Sequence, residues 1–131
     1  RNSDCAAKAL IDRQSGELIG ICTFTAYSLE KQRVSGVLQG SQPSEIGVVR
    51  LVMLGVARKY QKRGFGQDLL CDFFEHVKII HQALPIKGVY LDADPAAINF
   101  YARLGFVQLS ATPNAFGAVP MFLAIQHILA A

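Results

Sequence analysis

Between residues 46 and 57 the sequence is almost unbroken in apolar side chains: Ile46, Val48, Val49, Leu51, Val52, Met53, Leu54 and Val56, with Arg50 the one charge. A run this apolar and this rich in β-branched residues predicts a central strand buried on both faces. Gly55 near its end predicts a bulge or a close backbone approach. Directly after it come Arg58, Lys59, Tyr60, Gln61, Lys62, Arg63, Gly64, Phe65 and Gly66. Leu69, Leu70, Phe73, Phe74, Val77 and Ile80 then recur at helical spacing, with Asp68, Asp72, Glu75 and Gln82 on the other faces. A buried strand therefore feeds a glycine loop that opens an amphipathic helix. With the apolar stretch at residues 86 to 93 as a second strand, the unit is expected to be a right-handed crossover.

The flanking sequence completes a mixed α/β sheet. Residues 6 to 12 and 18 to 27 read as strands of an antiparallel hairpin around the turn signal Gln14, Ser15, Gly16, Glu17. Residues 30 to 44 are polar, carry Gly36, Gly40 and Pro43, and read as a long loop that is functional or mobile. Leu84 and Pro85 end the long helix. Asp94 is a good N-cap, Pro95 suits the first helical position, and Gly105 is a good C-terminal stop, so a short helix is expected over residues 95 to 104. Residues 107 to 109 and 121 to 128 are the last strand candidates.

The loop carries the chemistry. The first N–H groups of a helix have no partner inside it, and the positive end of its dipole adds to them, so a glycine loop running into a helix is an anion site. Gly64 and Gly66 let backbone approach a ligand closely. Arg58, Lys59, Lys62 and Arg63 place four cations within six residues, and the anion implied is a pyrophosphate. Neither a GxxxxGK[ST] loop nor a GxGxxG fingerprint is present. On spacing alone the loop reads equally as a phosphate cradle or as a solvated charge run.

Composition bounds the rest. A chain of 131 residues with 51% hydrophobic content suits a single domain, residues 1–131, with a sizeable core. A net charge of +3 permits an anionic partner without requiring one. Cys5, Cys22 and Cys71, like His76, His81 and His127, lack ligand spacing. That points to buried or incidental thiols in a reducing compartment and to no metal site. The longest apolar run, residues 115 to 125, is too short to span a bilayer. No membrane partner and a cytoplasmic location are therefore expected.

Three motifs then resemble one family. Gln61, Lys62, Arg63, Gly64, Phe65 and Gly66 resemble the Q/R-x-x-G-x-G/A loop of GNAT acetyltransferases. Leu54, Gly55 and Val56 stand where that family has its strand-end L/C-x-V. Ala97, Tyr101, Gly105 and Phe106 match its A-x-x-x-Y-x-x-x-G-F helix. The resemblance covers residues 18 to 125 and implies the GNAT fold, with the family's first strand and helices expected before Arg1. More narrowly, residues 49 to 56, 60 to 70 and 100 to 106 with Asp94 are similar to the GNAT toxins of bacterial toxin–antitoxin pairs. Those toxins acetylate the amino group of aminoacyl-tRNA and are neutralised by ribbon-helix-helix antitoxins.

The resemblance implies roles. Backbone groups of Leu54, Gly55 and Val56 would bind the pantetheine arm of acetyl-CoA and stabilise the thioester oxyanion. Gln61, Lys62, Arg63, Gly64, Phe65 and Gly66 would hold its pyrophosphate. Tyr101 would protonate the departing thiolate. Spacing alone reads Tyr101 as a half-buried aromatic, and the charges of Lys62 and Arg63 as pointing to solvent. Asp92, Asp94 and Glu45 are equal candidates for a general base, and an α-amine titrating at about 7.7–8.0 needs none. Arg58, Lys59, Arg103, Lys31 and Arg33 are candidate RNA contacts, although no aromatic platform for a single strand stands out. Expected partners are acetyl-CoA, aminoacyl-tRNA, a ribbon-helix-helix antitoxin and a second copy in a homodimer. Two alternatives stay open: acetylation of a small amine or a protein N-terminus, and a catalytically silent acyl-CoA-binding module.

Overall fold

A computed structural model describes residues 5–130. Among them lie six strands: β1 (Ala6–Ile11), β2 (Leu18–Glu30), β3 (Glu45–Val56), β4 (Gly88–Ala93), β5 (Val107–Gln108) and β6 (Val119–Ala124). With them run three α-helices: α1 (Phe65–Ala83), α2 (Ile98–Arg103) and α3 (Ile125–Ala130). The strands form one mixed sheet in the order β1-β2-β3-β4-β6-β5. No helix among the described residues is long and apolar enough to cross a membrane. The chain divides into two compact units. One takes the chain up to Thr25 together with Leu51–Ala83; the other takes Ala26–Arg50 together with the chain from Leu84 onward.

In the first unit, β1 and β2 pair antiparallel, Ala6 opposite Phe24, as the turn signal predicts. The turn is built by Asp12, whose carboxylate accepts from the Gln14 N–H and the Ser15 hydroxyl while Gly16 takes a positive φ of 78°. Helix α1 buries Leu69, Leu70, Phe73 and Val77. The Phe73 ring lies 5.0 Å from that of Phe24 on β2, and Lys8 on β1 pairs with Asp72 at 3.2 Å. Burying Phe73 completely contributes about 2–3 kcal/mol relative to leaving it in water.

In the second unit, Leu29, Val34, Ile46, Val48, Tyr90, Phe122 and Ala124 form one apolar cluster. β4 and β6 pair antiparallel from Gly88–Ala124 to Ala93–Val119. Gly88 is required there: a Cβ would land on the Leu123 carbonyl and the Phe122 ring. Asp94 caps the next segment as expected, its Oδ1 accepting from the Ala96 N–H at 2.9 Å. Residues 95 to 104 open with a 3-10 turn, Pro95–Ala97, before α2 begins.

The structure corrects four readings. β3 is buried along its first half only: Val52 and Met53 are each 47% exposed and residues 54 to 56 are half-buried. β6 stops at Ala124, and residues 125 to 128 belong to α3, whose buried face is Ile125 and Ile128. A continuous apolar run has no period that separates strand from helix. β2 runs three residues past Tyr27. The loop after it holds a 3-10 helix, Lys31–Val34, pinned by Val34, which is 1% exposed.

Candidate active site

Two sets of sequence-expected residues meet in the first unit. Gln61 donates its side-chain N–H to the Val56 carbonyl at 2.9 Å, tying the glycine loop to the end of β3. Ala57 donates its N–H to the Ile19 carbonyl at 2.8 Å, which fixes that strand end against β2. Gly20 makes this close approach possible: a Cβ there would lie 3.0 Å from the Gly55 carbonyl oxygen. Nothing in the sequence around Gly20 marked it, because the neighbour that forbids a side chain is distant in sequence.

The loop itself has an unusual backbone. Arg58–Tyr60 forms a 3-10 turn, after which Lys62 (φ 65°) and Gly64 (φ 84°) both adopt the left-handed region. A non-glycine residue held at positive φ is uncommon. Alternation of this kind turns successive N–H groups toward one side and makes an anion-binding concavity. Asp68 donates its N–H to the Gly64 carbonyl at 3.0 Å, so α1, nineteen residues long, starts with its first N–H groups free of intrahelical partners. The loop thus fits a pyrophosphate. Arg58, Lys62 and Arg63 are exposed.

The remaining cation of the loop, Lys59, is paired with Glu17 at 2.8 Å, and the Tyr60 hydroxyl donates to the same Glu17 oxygen at 2.8 Å. The Lys59 ammonium first, then the Tyr60 hydroxyl, hold the Glu17 carboxyl below the usual carboxylate range. Tyr60 is 8% exposed, and its ring lies 5.6 Å from the Arg63 guanidinium and 6.0 Å from the Phe65 ring.

Tyr101 belongs to the second unit. It is 9% exposed on α2, with its ring edge-to-face against Phe100 at 5.1 Å and Phe106 at 5.6 Å. Gly105 ends that helix at φ 105°. All three candidate bases are engaged. Asp92 accepts from Arg50 at 3.1 Å and from the Tyr90 hydroxyl at 2.8 Å. Asp94 accepts from the Ala96 N–H, and Glu45 accepts from the Ser28 hydroxyl at 2.7 Å. Of the thiols, Cys22 is buried, and that burial pushes its pKa up, while Cys5 and Cys71 are exposed.

A sequence model of the acetyltransferase (GNAT) domain matches residues 7–108, most of the chain and all three motifs. The chain belongs to the GNAT acetyltransferase family. This domain is 99% identical to a crystal structure of a bacterial toxin, with a TM-score of 0.95, covering 98% of this chain and 72% of that one. AtaTR bound with acetyl-CoA is similar at 21% identity and a TM-score of 0.78, covering 97% of this chain and 74% of that one. AtaT complexed with acetyl-methionyl-tRNAfMet is similar at 21% identity and a TM-score of 0.80, covering 97% and 75%. At that identity the likeness is one of GNAT fold. No match was found among curated proteins.

Proposed function

We propose that this acetyltransferase moves the acetyl group of acetyl-CoA onto the α-amino group of an aminoacyl-tRNA and so stops translation. The observation that carries the reading is the 99% identity to a bacterial toxin on a fold shared with AtaT in its acetyl-methionyl-tRNA complex. As a toxin it would be held in check by a ribbon-helix-helix antitoxin.

Acetyl-CoA supplies an activated thioester. The left-handed backbone at Lys62 and Gly64, with the N-terminus of α1 behind it, holds the pyrophosphate oxygens. Leu54, Gly55 and Val56 offer main-chain groups to the pantetheine arm, and an N–H there steadies the carbonyl oxygen as charge builds on it. Gln61 keeps loop and strand in one register through its bond to Val56. The amine nitrogen attacks the carbonyl carbon, the carbon–sulfur bond breaks, and the Tyr101 hydroxyl gives its proton to the departing sulfur. The amine's surplus proton passes to water, from which Tyr101 takes back the proton it gave. An α-amine is already partly neutral near pH 7.5, so the engagement of Asp92, Asp94 and Glu45 elsewhere is no obstacle.

The test is radiolabelled acetyl transfer to charged tRNA, with uncharged tRNA, polyamines and N-terminal peptides as competing acceptors. Label is expected on charged tRNA alone, and purified protein should stop cell-free translation only when acetyl-CoA is present. Label on a polyamine or peptide, with none on charged tRNA, overturns the acceptor and leaves the acetyltransferase in place.

A further inference from the structure

One polar network in the second unit plays no part in the reaction just described. Arg33, on the 3-10 helix Lys31–Val34, donates to the Tyr90 hydroxyl at 2.9 Å. That hydroxyl donates to Asp92 Oδ1 at 2.8 Å, and Asp92 Oδ2 accepts from Arg50 at 3.1 Å. The Tyr27 ring stacks on that of Tyr90, 5.5 Å between centroids and 16° between planes. The Arg50 guanidinium lies 5.1 Å from the Tyr27 centroid, and that of Arg33 lies 5.1 Å from the Tyr90 centroid. The arginines are accessible: the side chain of Arg50 is 35% exposed and Arg33 is exposed, while the Tyr27 ring is half-buried and the Tyr90 ring is buried, 3% exposed.

The network carries two guanidiniums against one carboxylate, so an excess positive charge stays on it. Among the described residues Arg50 Nε is buried and has no hydrogen-bond partner. A buried donor left unpaired is costly. The rings and the hydroxyl hold both guanidiniums in place, so a ligand need not order them on arrival. A cation is repelled here. An anionic oxygen that takes the remaining donors of Arg33 and the exposed part of the Arg50 fork is matched. The guanidinium planes held over these rings are also surfaces on which unpaired bases stack.

We infer that Tyr27, Arg33, Arg50 and Tyr90 form a subsite for the unpaired 3′ end of the RNA acceptor, with the two arginines on phosphodiester oxygens beside the aromatic pair. This rests on the aminoacyl-tRNA reading. Acetylation kinetics test it on two acceptors, a charged tRNA and an aminoacyl-adenosine ester, which has the same amine and no phosphate. The variants are Arg33→Gln, Arg50→Lys, which keeps the charge and removes the planar fork, and Arg13→Gln on the β1–β2 turn as a matched loss of charge.

For charged tRNA, Arg33→Gln and Arg50→Lys should each raise KM about tenfold or more with kcat little changed. For Arg33→Gln the slope of log KM against log salt should fall by about 0.7 for each phosphate that the protein no longer neutralises. KM for the adenosine ester and the affinity for acetyl-CoA should not move, and Arg13→Gln should behave as wild type. Equal losses on both acceptors would make the cluster a packing feature and overturn the subsite, as would an unchanged KM and salt slope on charged tRNA. Wild-type protein that acetylates neither acceptor removes the function and the subsite together.

Discussion

Tyr101 shows how far a single residue can be read. The A-x-x-x-Y-x-x-x-G-F spacing singled it out, and its place on a short helix, 9% exposed against Phe100 and Phe106, is one where the ring is fixed by packing. Tyr101→Phe keeps those ring contacts and removes the hydroxyl proposed as proton donor. Turnover is expected to fall on the order of 10²-fold or more, the usual worth of a positioned acid, with acetyl-CoA affinity unchanged. Stopped-flow turnover and calorimetric binding on the same preparation separate the two, and near-wild-type turnover would hand the proton to another group. Gly64 was legible as a backbone feature, since a glycine in that loop position announces a special backbone, and it stands at φ 84°. Gly20, Tyr27 and the Arg50–Asp92 pair were not legible. Their meaning lies in neighbours that only the sheet brings close, and local spacing carries no trace of them.

Elements were legible where composition and period agreed. The β1–β2 hairpin, α1 and the Asp94 cap all fall where turn residues and 3.6-residue periodicity put them. They were misread where an apolar run could serve two purposes, at the β6–α3 junction and along the exposed second half of β3. The hairpin also carries a pH-dependent tie. Glu17, just before β2, holds Lys59 and Tyr60 at the start of the glycine loop, and its folded pKa lies below the ordinary carboxylate value. Asp12 in the same turn is lowered too, by the Ser15 hydroxyl and the Gln14 N–H. A depressed carboxylate contributes stability that is complete above its unfolded pKa, near 4, and is lost as pH falls through the lower folded value. The melting temperature should therefore decline below about pH 4, and Glu17→Gln should make that decline shallower while leaving the neutral-pH fold intact by circular dichroism. Superimposable acid limbs would show that the tie adds nothing to stability.

At the scale of the whole molecule, three short motifs fixed the family because they fall in order along one chain, from β3 through its loop to α2. The chain passes between its two compact units at residues 25/26, 50/51 and 83/84, a division that composition does not mark. The glycine loop lies within the first unit, and acetyl-CoA should stabilise the folded protein simply by binding it and not the unfolded chain. At a hundredfold excess over Kd that linkage is worth about 2.7 kcal/mol. For a chain of 131 residues it corresponds to a rise in Tm of roughly 6–15 °C at the specific unfolding entropies of small domains. Gly64→Glu supplies the control. A glutamate there meets a φ of 84° that side chains rarely adopt, and it sets a negative charge in the cradle expected to hold phosphates, so its own Tm should drop modestly and the acetyl-CoA shift should vanish. A thermal scan of both proteins, with and without saturating acetyl-CoA, decides the matter. A full shift in Gly64→Glu would place the cofactor elsewhere, and no shift in the wild type, with no heat of binding, would mean that the loop's geometry serves some other anion.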